Sequence, residues 1–204
     1  MLRPRLWWPL VILLAVVGCR DVAAPLAGHS FAGPELEVLD GLHILQQSPT
    51  APPLETYQVS FWARHNRETT VAVDYQSGQP FIRFHIPKFG LKWTPNGARL
   101  WGGDSVFITL TLDTLNLAVD FQPSGVVFSK VFAPQLVIYY ENANPDLNGD
   151  GVVDDSDQTL AQQLTIWGNS TNTQGWFKVV SKSDTTQQYV VGDIYHFSQY
   201  AICW

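Results

Sequence analysis

The chain has 204 residues, with 18 acidic against 12 basic side chains, a formal net charge of −6 and 46% hydrophobic residues. An acidic chain without a basic cluster along its sequence excludes nucleic acid as a natural partner. The apolar content is enough for a packed core and excludes a wholly disordered chain.

Met1–Arg5 carries two arginines, and Leu6–Val17 is an apolar run of about a dozen residues, short for a membrane span and suited to a signal-peptide core. Val16-Val17-Gly18-Cys19 follows. Small and aliphatic residues directly before a cysteine resemble the bacterial lipobox, in which the cysteine is acylated and becomes the new N-terminus. The expectation is a lipoprotein signal peptide over 1–18, lipidation at Cys19 and a cell-envelope location, periplasmic or surface-exposed, with the membrane contacted through that anchor. Cys203 is then the remaining thiol, so an internal disulfide is excluded. Its place in the apolar run Tyr200–Trp204 reads as packing rather than as a nucleophile.

Residues 19–53 mix Ala, Gly, Pro, Ser and Gln without a sustained apolar period and read as a flexible tether closed by Pro49, Pro52 and Pro53. Residues 54–204 are about the length of one domain with its own core. Period-two alternation predicts strands around Tyr57–Phe61, Val71–Tyr75, Phe81–Ile86, Val106–Leu112, Leu117–Phe121, Val126–Phe128, Gln135–Tyr140, Leu164–Trp167, Trp176–Val180, Tyr189–Val191 and Tyr195–Trp204. Short strands in such close succession, punctuated by Gly, Pro, Asn and Asp, predict an all-β antiparallel sandwich or barrel.

Asp146–Asp157, DLNGDGVVDDSD, is the stretch with the clearest chemistry. It fits the twelve-residue calcium-loop template. Asp146, Asn148 and Asp150 take positions 1, 3 and 5, Gly151 the sharp turn at 6, the Val152 carbonyl position 7, Asp154 position 9 and Asp157 position 12. An oxygen-only set suits a hard cation, and its size and turn favour Ca²⁺. Crowded carboxylates also repel one another without a cation. The competing reading is an acidic turn built on Asn-Gly and Asp-Gly. A short helix is expected at about Asp155–Gln163. With Asp at position 12 and a helix behind it, the loop resembles those of dockerins. Dockerins carry two paired loops, and a single loop inserted at 146–163 into another fold is the expectation here.

Gly103-Asp104-Ser105-Val106, Pro123–Ser129, Leu136–Tyr140, Trp176 and the closing His196-Phe197-Ser198-Gln199-Tyr200-Ala201 resemble bacterial ZU5-type β-sandwich domains. That resemblance implies a ZU5-like sandwich acting as a non-catalytic interaction or spacer module, with no catalytic residues to carry over.

Nothing in the chain matches a nucleophile elbow, a zinc-protease helix, a phosphate loop or a dinucleotide fingerprint. The histidines 29, 43, 65, 85 and 196 are scattered and read as structural, hydrogen-bonded groups. Asp74, Asp113 and Asp120 would suit glycoside hydrolysis if the fold paired them, though strand-end turns explain them equally. Asn169-Ser170-Thr171 reads as a polar turn. Trp93 and Trp101 flank the turn-like Thr94–Gly97 and are candidates for exposed aromatics that stack on sugar or anchor a protein. Core packing competes for that pair and is the expectation for the other tryptophans of the domain. The leading function is thus a lipid-anchored, extracytoplasmic calcium-binding module with a non-catalytic interaction or spacer role, for which a protein or a glycan is the candidate partner. The alternative is a carbohydrate-binding module or dockerin-like component of a polysaccharide-handling system, meeting a glycan.

Overall fold

Alternation decides the architecture. In the strand Ser105–Asp113, Val106, Ile108, Leu110 and Leu112 are buried and the residues between them are not, so one face is driven into a core and the other stays wet. The computed structural model describes residues 42–170 and 175–204, which belong to one compact unit, Glu35–Trp204. The expected leader, Cys19 and His29 lie outside the described residues.

In chain order the elements are β1 (Gln58–Arg64), β2 (Thr69–Asp74), β3 (Pro80–Ile86), β4 (Leu91–Trp93), β5 (Ser105–Asp113), β6 (Ala118–Gln122), β7 (Val127–Phe128), β8 (Gln135–Tyr139), α1 (Asp155–Ala161), β9 (Thr165–Ser170), β10 (Gly175–Lys178), β11 (Ser181–Asp184), β12 (Tyr189–Asp193) and β13 (Gln199–Cys203). They form an antiparallel sheet in the order β1-β5-β6-β13-β9-β10 and a second in the order β11-β12-β8-β3-β2, with β4 and β7 as a small separate ladder. The two large sheets pack as a sandwich. The all-β expectation holds, and α1 is the short helix that follows the acidic loop, ending at Ala161 with Gln162 as its cap rather than reaching Gln163.

The core is aromatic at its centre. Phe84 of β3 lies 4.7 Å from Phe121 of β6, ring centre to ring centre, and Phe121 stacks on Phe197 at 5.0 Å, which meets Phe128 edge-on at 4.9 Å. Each such side chain contributes roughly 1.5–3 kcal/mol by leaving water. This gives the closing His-Phe-Ser-Gln-Tyr-Ala stretch a packing role. Phe197 fills the core, the Tyr200 hydroxyl donates to the His196 carbonyl, and the Ser198 hydroxyl donates to the Asn169 carbonyl. Only Gln199 onward is strand, because His196 is turned aside to bridge Val127.

Gly168 of β9 is set by close approach. A Cβ there would lie 2.8 Å from Cε1 of Tyr200 and closer still to the Phe177 ring. The aromatic pair Phe177 and Tyr200 occupies the space a side chain would need.

Two strands escape sequence reading. β4 has three residues, and β11, Ser-Lys-Ser-Asp, has no apolar alternation because it is an edge strand whose side chains are largely wet.

The expected tether also needs correction over its last part. Leu42 and Leu45 are buried, and the Leu45 N–H donates to Ile202 while its carbonyl accepts from Leu117. Residues 43–47 thus wedge against the ends of β13 and β6. Their pairing is made of isolated bridges, which leave no period for a sequence to display. Leu42, Ala118, Trp176, Ala201 and Cys203 form a second small core on the outer face of the six-stranded sheet.

Candidate functional site

The acidic loop carries the chain from β8 in one sheet to β9 in the other. It is built from side chains accepting the loop's own backbone N–H groups. The Asp146 carboxylate accepts from Gly149 on one oxygen and Gly151 on the other, at 2.8 and 2.9 Å. Asn148 Oδ1 accepts from Asp150, and Asp150 Oδ1 accepts from Val152. Gly151 has φ +86, in the left-handed region that favours glycine.

Asp157 closes the structure. Although the chemistry of a carboxylate favours water, this residue is only 3% exposed. Its Oδ1 accepts from Leu147 and Asn148 and its Oδ2 from Asp154. Asp154 is the N-cap of α1, accepting from the Ser156 N–H and hydroxyl, and with Asp157 it makes a reciprocal capping box. The Asp154 backbone N–H holds the Asp157 carboxyl below its ordinary range, helped by the Asn148 and Leu147 amides against the opposing effect of burial. The Ser156 side chain and amide do the same for Asp154. Val152 and Val153 are exposed.

The structure therefore gathers five of the named side chains, Asp146, Asn148, Asp150, Asp154 and Asp157, into one hydrogen-bonded loop, with Val152 on its outside edge. It does not converge them on a point: among the described residues no three His, Cys, Asp or Glu side chains stand closely enough to hold an ion. The donor chemistry fits a hard cation, while the carboxylates as placed face backbone amides. The oxygens of Asp146 and Asp150 each accept one bond and retain a second lone pair, whereas Oδ1 of Asp154 and Oδ1 of Asp157 already accept two, so an ion would be reached only by side-chain rotation within the loop. Ser156 is a participant that sequence reading missed. Its hydroxyl accepts from Asn148 Nδ2 at 2.8 Å, and no template position marks it. A cleft of about 440 Å³ opens beside the loop, with Leu45, Leu147, Asp157 and Ala161 among its walls.

The aromatic candidates are at the opposite end of the sandwich. Trp101 is 58% exposed and Trp93 is half-buried. They do not make an open pair. The Arg99 guanidinium lies over the Trp101 ring at 3.8 Å and 5.9 Å from the Trp93 ring, covering one face of Trp101. Trp62 corrects an expectation. It is 63% exposed, because the alternation of β1 puts Val59, Phe61 and Ala63 inward and Trp62 outward, where it packs 5.2 Å from its cross-strand partner Phe107. Trp176 is buried, and Trp167 and Trp204 pack against the cores, as expected.

The three carboxylates considered for hydrolysis do not come together: Asp74 stands in one sheet, while Asp113 and Asp120 share the outer face of the other, on neighbouring strands. Asp74 meets Arg83 at 2.6 Å in the five-stranded sheet. Asp113 accepts from Leu115 and Asn116 at the β5–β6 turn, and Asp120 accepts from Gln122 and sits opposite Thr111 and Gln199. His65 bonds the Leu91 carbonyl, His85 bonds Thr70, and His43 stacks on Trp204. Cys203 is fully buried, and desolvation pushes its thiol up to about 12. The polar turn expected at Asn169–Thr171 is corrected: Asn169 and Ser170 are the last residues of β9, paired with Trp176 and Gly175 of β10, and Thr171 lies outside the described residues. No family model matches the chain, and no curated protein matches it.

Proposed function

We propose that this chain is a lipid-anchored, extracytoplasmic β-sandwich module that binds one Ca²⁺ in the Asp146–Asp157 loop and works by interaction rather than catalysis, in the manner of the ZU5-like domains it resembles. The observation that carries the reading is the loop itself. Ligand-type side chains at template positions 1, 3, 5, 9 and 12 are already wound into one closed hydrogen-bonded turn, and Gly151 supplies the left-handed residue the template requires. Asp146, Asn148, Asp150, Asp154, Asp157 and the Val152 carbonyl would hold the ion, and the ion would supply neutralisation of crowded negative charge. The loop joins the two sheets, so its closure bears on how the β8 and β9 ends are held.

The test is calorimetric titration of the protein with CaCl₂, paired with thermal melts in EDTA and in excess calcium. The expected result is one-site binding. Calcium at 100 times Kd should add about 2.7 kcal/mol of stability, and Asp150→Ala should lose most of that gain. Coincident wild-type melts with no heat of binding would return the loop to a plain acidic turn.

A glycan-binding role is the second reading. It is favoured by the free face of Trp101 and by the outward Trp62–Phe107 pair. Glycan-array binding that disappears in Trp101→Ala or Trp93→Ala would support it, and an empty array would remove it.

A further inference from the structure

The end of the sandwich away from the acidic loop has a surface of its own. The β1–β2 turn, the β3–β4 loop and the β7–β8 loop meet there. The Phe89 N–H donates to the His65 carbonyl, His65 Nδ1 bonds the Leu91 carbonyl, and the Ser129 N–H donates to Gly90. The tips of these loops are apolar. Val131 is 82% exposed, Phe132 is 47% exposed and Phe89 is 43% exposed. Phe89 and Phe132 touch at 6.3 Å between ring centres. Surface loop tips are ordinarily polar. Phe89 also has φ +67, a backbone state that bulky residues rarely adopt and that Gly or Asn would fill without strain. The chain thus holds an aromatic ring outward at a conformational cost.

Cations ring these tips. Six of the nine Lys and Arg residues between Leu42 and Trp204 lie at this end: Arg64, Arg67, Lys88, Lys92, Arg99 and Lys130. All six are exposed, and none is in an ion pair among the described residues. Lys88 Nζ lies 4.8 Å from the Phe89 ring centre. Glu68, Asp104 and Asp193 are the acidic residues nearby, so the end is net positive, whereas Asp146–Asp157, Glu141 and Asp184 make the opposite end strongly negative. A charge dipole therefore runs along an acidic domain.

We propose that the β1–β2, β3–β4 and β7–β8 loops form a docking surface for a bilayer carrying anionic headgroups. The cations match the headgroup charge, and Phe89, Val131 and Phe132 would enter the interfacial region, where aromatic rings with neighbouring lysines are at home. A phosphate backbone would use the cations but give the exposed valine and phenylalanines nothing to bury against. The surface is independent of the calcium loop and of Cys19.

The test uses the Glu35–Trp204 unit, which contains every described buried residue of both cores and lacks the apolar leader. It is sedimented with vesicles of phosphatidylcholine alone, and with vesicles containing about one-third phosphatidylserine, in EDTA throughout. Binding to the anionic vesicles alone, weakened by salt, is expected. Each cation removed should weaken it about fivefold, so Lys88→Glu/Lys130→Glu should lose well over tenfold. Val131→Asp should weaken it too, with an unchanged melting curve. Equal binding to both vesicle types, no binding to either, or indifference to all these variants would overturn the proposal. So would a head-to-tail self-association that the Lys88→Glu/Lys130→Glu protein loses, since the basic end would then be meeting the acidic end of a second copy.

Discussion

The Asp157 carboxylate and the Leu147 backbone N–H, ten positions apart, meet at 2.7 Å. That bond ties the start of the acidic loop to the first turn of α1, and the same carboxylate also receives Asn148 and Asp154. A single buried side chain thus closes the loop at both ends.

The Asp157 pKa sets a pH dependence. Its folded value lies below the ordinary 3.8, as does that of Asp154. A carboxylate depressed in the folded state contributes stability that is fully present above the unfolded pKa and is lost as pH falls through the folded one. In EDTA, Asp157→Asn should melt below wild type at neutral pH, and the gap should narrow as pH drops below about 4. Equal melting temperatures at neutral pH would show that the carboxylate does not hold the loop.

Cys203 should be chemically silent while the protein is folded. It is fully buried beside Trp176 and Ala201 and its thiol is pushed up to about 12. A water-soluble maleimide should label it only on unfolding, and Cys203→Ala should cost about 1 kcal/mol, as small core deletions do. Rapid labelling of the native protein would contradict the packing seen on the outer sheet face.

Gly168→Ala should destabilise by about 1–3 kcal/mol, the usual penalty of an overpacked core. The new methyl would press on Phe177 and Tyr200. Pairing it with Phe177→Leu should recover part of the loss, because the ring that occupies the space is then gone. Chemical denaturation of the two variants measures both effects, and a neutral Gly168→Ala would mean the Phe177 and Tyr200 rings move aside freely.

Fatty-acid labelling tests the anchor. Expressed in a bacterial host, the wild type should incorporate labelled palmitate and Cys19→Ser should not. The expectation rests on Val16-Val17-Gly18-Cys19 behind an apolar run. Equal incorporation by the two proteins would remove the lipoprotein reading.

The sequence by itself determined most strands, the short helix and the composition of the acidic loop, because each is a local pattern. Alternation marks the face a strand buries, as in Val106–Leu112, and Gly151 among Asp and Asn marks a turn whose acceptors are its own neighbours. Tertiary structure alone decided what depends on residues far apart in the chain. β8 and β9 flank the loop in sequence but belong to different sheets, and β11 became a strand only through pairing with β12. Leu42 and Leu45 were hidden in a proline-rich stretch because their partners, Ala201 to Cys203 and Leu117, stand more than 70 positions away. Arg99 lies over Trp101 and spoils the open aromatic pair that spacing suggested. Six cations spread from Arg64 to Lys130 form no cluster in the sequence, and the sandwich gathers them because antiparallel strands return alternate loops to the same end.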